Sequence, residues 1–129
     1  MRLKTILSIL LLSSSFAANA DVNLTEADVL GSWKVDAESI YSDARDARKL
    51  ETVWTFKNDG TMEGVSTDSQ AHARLGEFRA RLNYHLENGK LIRQASPGRS
   101  RNETCTALEK EGPKMVLKCA SVYFFMTKI

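Results

Sequence analysis

The chain has 129 residues, of which 18 are basic and 16 acidic, and its formal net charge at pH 7 is +2. Arg2 and Lys4 lie in a segment that we expect to be removed, which leaves 18 − 2 = 16 basic residues against 16 acidic ones. Nucleic-acid-binding proteins are typically much more basic than this. The charge therefore argues against a nucleic-acid partner and against a generally cationic membrane-binding surface.

The first twenty residues have the organisation of an export signal. Basic residues precede a short apolar run at 6–12, and Ala18 and Ala20 are small residues at the positions that a signal peptidase reads. The run is shorter than the roughly 20 residues that cross a bilayer, so we expect no transmembrane segment. Cleavage after Ala20 would leave a single domain, residues 21–129, in the periplasm or outside the cell.

The mature chain is predicted to begin with a short helical turn and a strand. Thr25 followed by acidic residues indicates an N-cap, and the strand begins after Gly31 in "SWKVD". The next segment, "ESIYSDARDARKL", has apolar residues at helical spacing. They are predicted to form one face of a short helix, or of a lid, after the first strand: Ile40, Ala44, Ala47 and Leu50.

The rest of the chain alternates between strands and tight turns. Turn sequences occur at Asn58-Asp59-Gly60, at Asn88-Gly89 and at Gly112-Pro113, and each predicts a hairpin. The last strand is apolar on both faces from Val122 to Met126, which is typical of a strand that is covered on both sides or closes a sheet. We predict an all-β domain of seven or eight antiparallel strands in an up-and-down barrel, because closure removes exposed sheet edges.

Cys105 and Cys119 are the two cysteines, and the alternatives are a metal pair, a redox pair and a structural disulfide. Two thiols make an incomplete zinc site, and the spacing is far from Cys-x-x-Cys. Gly112 lies midway between them, so a turn there would place them opposite each other. An oxidising compartment favours the disulfide, which we therefore expect.

A Gly-x-Trp at the start of the first strand, after a helical turn, resembles the opening of the lipocalins and their calycin relatives. The matching residues are Gly31 and Trp33. The resemblance implies that Trp33 packs across the closed end of a barrel whose open end admits a small, usually apolar ligand. Lys118 or Lys128 would take the place of the late arginine that often covers this tryptophan in the family.

A ligand inside such a barrel would meet aromatic and apolar side chains, although these residues could equally fill the core. The two arginines on the polar face of the fourth strand would bind an acidic head group if that face lined the cavity, and would be ordinary surface if it pointed outward. The candidate ligand-binding residues are Trp54, Phe56, Phe78, Arg79, Arg81, Leu82, Tyr84, Tyr123 and Phe125.

His72 and His85 are the two histidines, and neither has a carboxylate or a thiol at metal-ligand spacing. No nucleophile elbow is present, and the carboxylates are scattered. We therefore expect no metal, no cofactor and no catalytic residues. The sequence favours an exported, non-enzymatic carrier of a small apolar or amphipathic molecule, such as an acidic lipid. The alternatives are a filled barrel that binds another protein through its surface or loops, and an enzyme of unknown reaction.

Overall fold

Eight antiparallel strands follow one another around a closed barrel in the order β1 to β8. The computed structural model describes residues 21–67 and 77–129, so the predicted export signal and His72 lie outside the described residues. No helix in these ranges is long and apolar enough to cross a bilayer. The elements are α1 (Glu26–Val29), β1 (Gly31–Ser39), β2 (Arg48–Phe56), β3 (Thr61–Ser66), β4 (Phe78–Glu87), β5 (Lys90–Gln94), β6 (Asn102–Glu111), β7 (Lys114–Cys119) and β8 (Val122–Lys128).

The last strand closes the barrel. Val35 of β1 pairs with Met126 of β8, and the pairing continues along both strands. The predicted barrel and closing strand are therefore confirmed. The segment 114–128 contains two strands, because the chain turns at Ala120 and Ser121, with Ala120 at φ 53°.

Residues 40–47, which join β1 to β2, form turns and bends. Of the two predicted alternatives, a short helix or a lid, the segment is therefore a loop and not a helix. Ala44 and Asp46 have φ angles of 64° and 53°, which an α-helix does not allow. The Ser39 hydroxyl organises the loop, because it donates to the Arg45 carbonyl oxygen at 2.6 Å and accepts from the Tyr41 amide at 3.0 Å.

The hairpin at Asn88-Gly89 has the expected register, with Leu86 opposite Leu91. Both turn residues have positive φ angles, 52° and 76°. A Cβ at Gly89 would lie 2.9 Å from the Asn23 Cα atom, so glycine also allows the N-terminal segment to cross this turn. The N-terminal segment thereby covers one end of the barrel.

Trp33 lies at this covered end and is completely buried. Its indole Nε1 donates to the Val29 carbonyl oxygen at 2.8 Å, which ties α1 to the barrel. The Lys128 Nζ lies 5.5 Å from the centroid of the Trp33 ring and donates to the Leu30 carbonyl oxygen at 2.8 Å. This end, which we call the closed end, is thus sealed by a tryptophan and a lysine from opposite ends of the chain.

Cys105 and Cys119 form a disulfide between β6 and β7, as the sequence predicts. Both residues are buried and face the barrel interior beside Leu91 and Leu117. The bond links the two strands of the Gly112-Pro113 hairpin at the end away from its turn.

Removal of the disulfide should destabilise the domain. In the chain-entropy model, opening a loop of this length costs about 3 kcal/mol. We therefore expect Cys105→Ala/Cys119→Ala to lower the free energy of unfolding by that amount in urea denaturation. The reduced wild-type protein is the matched control, since it keeps both sulfur atoms in the core; an unchanged midpoint in both would contradict a stabilising bond.

Replacement of Trp33 by Phe should leave the Val29 carbonyl oxygen buried without its indole donor. An unsatisfied buried acceptor costs about 1–3 kcal/mol, so we expect a loss of that size in the free energy of unfolding. Trp54→Phe is the control, because no hydrogen bond of the Trp54 indole occurs within the described ranges. Trp54→Phe also loses part of the indole contact with Arg93, so the outcome that contradicts the hydrogen bond is a Trp33→Phe variant as stable as the wild type.

Candidate functional site

The candidate site is the inner face of the barrel near the end opposite Trp33, where the β1–β2, β5–β6 and β7–β8 connections lie. Side chains alternate between the two faces of a strand, and residues paired across strands share a face. The pairing of Trp33 with Trp54 thus places Trp54 inside, and the same register assigns the other strands. We call the following inner-facing residues the open half: Glu38, Arg48, Leu50, Thr52, Trp54, Ser66, Phe78, Ala80, Arg93, Glu103, Val122 and Phe124.

Inner-facing side chains become more exposed toward the open end. Phe56 and Met62, nearer the closed end, are 2% and 1% exposed. Phe78, which faces the same interior at the start of β4, is 62% exposed. Among the described residues, the interior is therefore tightly filled in its closed half, whereas in the open half the exposure rises from Trp54, at 8%, to Phe78.

An aromatic pair forms the floor of this open region. The Trp54 and Phe124 rings lie 4.9 Å apart between centroids, on β2 and β8. Gly64, opposite Trp54 on β3, leaves room for the indole, since a Cβ there would lie 3.4 Å from the Trp54 Cδ1 atom. The small side chain of Ala80 follows on β4.

Arg93 crosses the interior and contacts this pair. It is paired with Tyr84 on β4 and with Glu103 on β6, so its side chain faces inward and is 12% exposed. The guanidinium carbon lies 4.8 Å from the Trp54 ring centroid and 5.8 Å from that of Phe124. Both distances are within the range of cation–π attraction, which holds the guanidinium in place.

Glu103 is the acidic partner of Arg93 and is 23% exposed. The Arg93 Nε and Nη2 both donate to its Oε2, at 3.2 and 3.0 Å. A carboxylate oxygen of Glu103 also lies within 4.8 Å of the sulfur atoms of Cys105 and Cys119. Because those sulfurs form a disulfide, they are not thiolate ligands, and the three residues make no metal centre in the oxidised protein.

The predicted apolar ligand-binding residues divide between the two halves. Trp54 and Phe78 belong to the open half, and Leu82 is a partly buried inner residue beside Met62. Phe56 and Tyr84 pack against each other edge to face, with ring centroids 5.1 Å apart, and are almost completely buried. These two residues therefore help to fill the core.

Arg79 and Arg81 lie on the outer face of β4, opposite Val65 and Glu63. Arg79 is 63% exposed and forms ion pairs with Glu63, at 2.8 Å, and with Glu77. Hydrogen bonds to Glu63 and then to Glu77 raise the pKa of Arg79 above its usual value. Because both arginines point away from the interior, they do not bind the head group of a ligand inside the barrel.

Tyr123 and Phe125 also face outward, because they pair with Lys118 and Val116. The Lys118 Nζ lies 5.4 Å from the Tyr123 ring centroid. Phe124, between them, takes the inner position. The prediction that Tyr123 and Phe125 line the cavity is therefore wrong, because the alternate residues of β8, including Phe124, face the interior.

Arg93 and Phe124 are inner residues that were not among the predicted ligand-binding residues, and a turn in the sequence indicates the position of only the first. The two-residue turn at Asn88-Gly89 that pairs Leu86 with Leu91 also pairs Tyr84 with Arg93. Arg93 therefore has to share the face of Tyr84. Phe124 is harder to find, because the turn at Ala120 and Ser121 has no Gly, Pro or Asn to mark it.

A second concavity, a groove of about 280 Å³, lies near the closed end. The Tyr84 hydroxyl donates to the Lys57 carbonyl oxygen at 2.6 Å. Burial, followed by the charges of Glu26 and Asp59, raises the pKa of Tyr84. His85, which points outward, lies 3.4 Å from Glu87. The groove is lined by Glu26, Asn58, Gly60, Tyr84, His85 and Leu86.

The barrel is similar to that of a solved structure. A crystal structure of a lipocalin-like protein from Bacteroides uniformis ATCC 8492 superposes with a TM-score of 0.60, covering 79% of this chain and 99% of that chain at 14% identity. No protein-family model matches the sequence. No curated protein matches it significantly. The chain therefore has a lipocalin-like fold, as the sequence predicts.

Replacement of Arg93 should affect stability more than replacement of an outer arginine. Arg93→Gln removes the contacts with Trp54 and Phe124, and a desolvated cation–π contact is worth up to about 2 kcal/mol. We expect a loss of roughly 1–2 kcal/mol in the free energy of unfolding by urea denaturation. Arg79→Gln, on the exposed face, is the control and should change stability little; equal effects would contradict the interior position of Arg93.

Proposed function

We propose that the protein binds a small apolar or amphipathic molecule in the open half of its barrel. The observation that carries the proposal is the change in exposure along one inner face, from buried Met62 to the 62% exposed Phe78. An eight-stranded barrel is just wide enough to be filled by side chains or to hold one small ligand. Here the closed half is filled, whereas the open half has the exposed Phe78 near its rim and the largely buried Trp54 and partly buried Phe124 at its floor.

The ligand would be carried outside the cytoplasm. The proposal combines the export signal ending at Ala20, the single domain of residues 21–129 and the disulfide. A disulfide persists in the periplasm or outside the cell, where thiols are not kept reduced. The fold is common among proteins that bind small molecules, which supports a carrier on general grounds.

Binding without catalysis is the simplest role for this site. Within the described ranges, the charged inner groups of the open half are Glu38, Arg48, Arg93 and Glu103. Arg48 is 76% exposed and is paired with Glu38. Arg93 and Glu103 are paired with each other. Such a pair can orient a polar ligand group, which is the part that polar residues play in apolar pockets.

A second candidate function is protein binding through the outer surface. Tyr123 and Phe125, with Val116, form a partly exposed apolar strip on the outside of β7 and β8. Aromatic residues are enriched in protein interfaces. This function would leave the open half without a ligand, so the two candidates give different results in a binding experiment.

A saturable response of the Trp54 fluorescence to an apolar probe would test the carrier. We expect dodecanol to change the emission of the wild type, because Trp54 borders the open half, and to leave Trp54→Phe unaffected, because its remaining tryptophan lies at the closed end.

Ala80→Phe should fill the same space and weaken dodecanol binding by about tenfold or more, because a filled pocket excludes its ligand. Val65→Phe, on the outer face of the neighbouring strand, is the matched control and should bind normally. If the wild type shows no saturable response, or if both variants bind like it, the carrier proposal is wrong.

A further inference from the structure

We propose that the open half is selective for anionic amphiphiles, whose carboxylate or phosphate head binds Arg93 and displaces Glu103 from it. The inference rests on the proposed carrier function and names the chemical class of its ligand. It assigns to Arg93 the role that Arg79 and Arg81 cannot fill from the outer face of β4.

The first argument is position. Arg93 is 12% exposed, whereas Arg79 is 63% exposed and has two carboxylate partners of its own. The guanidinium lies over the Trp54 and Phe124 rings at the floor of the open half. A molecule that entered from the open end would therefore meet a fixed positive charge at the floor of the open half, beyond the exposed Arg48 that is paired with Glu38.

The second argument is the incomplete use of the guanidinium. Both hydrogen bonds to Glu103 end on the same oxygen, Oε2, so the pair lacks the fork geometry in which two parallel N–H groups bind two oxygens. Within the described part of the chain, no acceptor other than Glu103 bonds to Arg93. A carboxylate or phosphate with two free oxygens could form the paired geometry that Glu103 does not.

The third argument is the freedom of Glu103 to leave. It is 23% exposed, about twice the exposed fraction of Arg93, so its carboxylate can be hydrated when its bonds to Arg93 break. The aromatic contacts meanwhile keep the guanidinium in place. Exchange of one anion for another keeps the buried positive charge neutralised, which avoids the cost of an unpaired charge.

The test is calorimetric titration with three probes of equal chain length: dodecanoate, dodecyl phosphate and dodecanol. We expect at least one anion to bind the wild type about tenfold or more tightly than the alcohol, the effect of a charge-assisted hydrogen bond. A preference for dodecanoate would indicate a free carboxylic acid as ligand, and a preference for dodecyl phosphate would indicate a phosphate ester.

Two variants assign the preference to the pair. Arg93→Gln should reduce anion binding to the level of dodecanol, whereas Arg79→Gln, the matched control, should retain the preference. Glu103→Gln should tighten anion binding and leave dodecanol unchanged, because it removes the competing negative charge. Glu103→Gln keeps Arg93 and remains informative if Arg93→Gln does not fold.

Equal affinities of the wild type for the three probes would overturn this inference and leave the carrier function standing. An anion preference that survives Arg93→Gln, or one that Glu103→Gln does not strengthen, would also overturn it. Binding of none of the probes would overturn the carrier function itself, and the inference with it.

Discussion

The pairing of β8 with β1 is the constraint on which the rest of the structure depends. Once Val35 and Met126 are opposite each other, no strand edge remains open, and each residue of every strand faces either the interior or the solvent. A shift of one residue would reverse the faces of the whole last strand. The same pairing sets Lys128 opposite Trp33 and so completes the closed end.

The two ends of the barrel differ among the described residues, 21–67 and 77–129, because the N-terminal segment covers one of them. The N-terminal segment binds the backbone of Ala107 and Gly89, and α1 accepts the indole of Trp33. Most inner side chains at that end are large and buried, among them Phe56, Met62 and Met115. Toward the other end the inner face includes Thr52, Ser66 and Ala80, which are too small or too polar to fill the space.

The ion pair between Arg93 and Glu103 is costly to keep inside an apolar barrel, because both charges lose part of their hydration. Stability alone gives little reason for it, since apolar side chains of similar volume often serve as well or better. The proposed exchange of Glu103 for an anionic ligand on Arg93 gives a reason for a charged pair at this position. The contacts with Trp54 and Phe124 hold the cation while its anion changes.

Local chemistry in the sequence was sufficient for most of the fold. The turns at Gly60, Gly89 and Gly112, the position of Trp33 and the disulfide are all readable, because a left-handed turn residue or a pair of thiols in an oxidising compartment has few alternatives. The length of each turn also fixes which residues of its two strands lie opposite each other. For this reason the inner position of Arg93 could be predicted from the Asn88-Gly89 turn, which pairs it with Tyr84.

Other features were decided only by contacts between distant parts of the chain. The apolar spacing after β1 is compatible with a helix, yet the loop there adopts positive φ angles at Ala44 and Asp46 between strands already paired on both sides. In β8 both faces are apolar, so the hydrophobic pattern does not indicate whether Phe124 or Phe125 faces the interior. Pairing with Leu117 of β7 and with β1 makes that choice, and it brings Phe124 to Trp54 and Arg93, which are far away in sequence. Local sequence signals were thus enough to predict a barrel and its closed end, whereas pairing between distant strands places Trp54, Arg93 and Phe124 together in its interior.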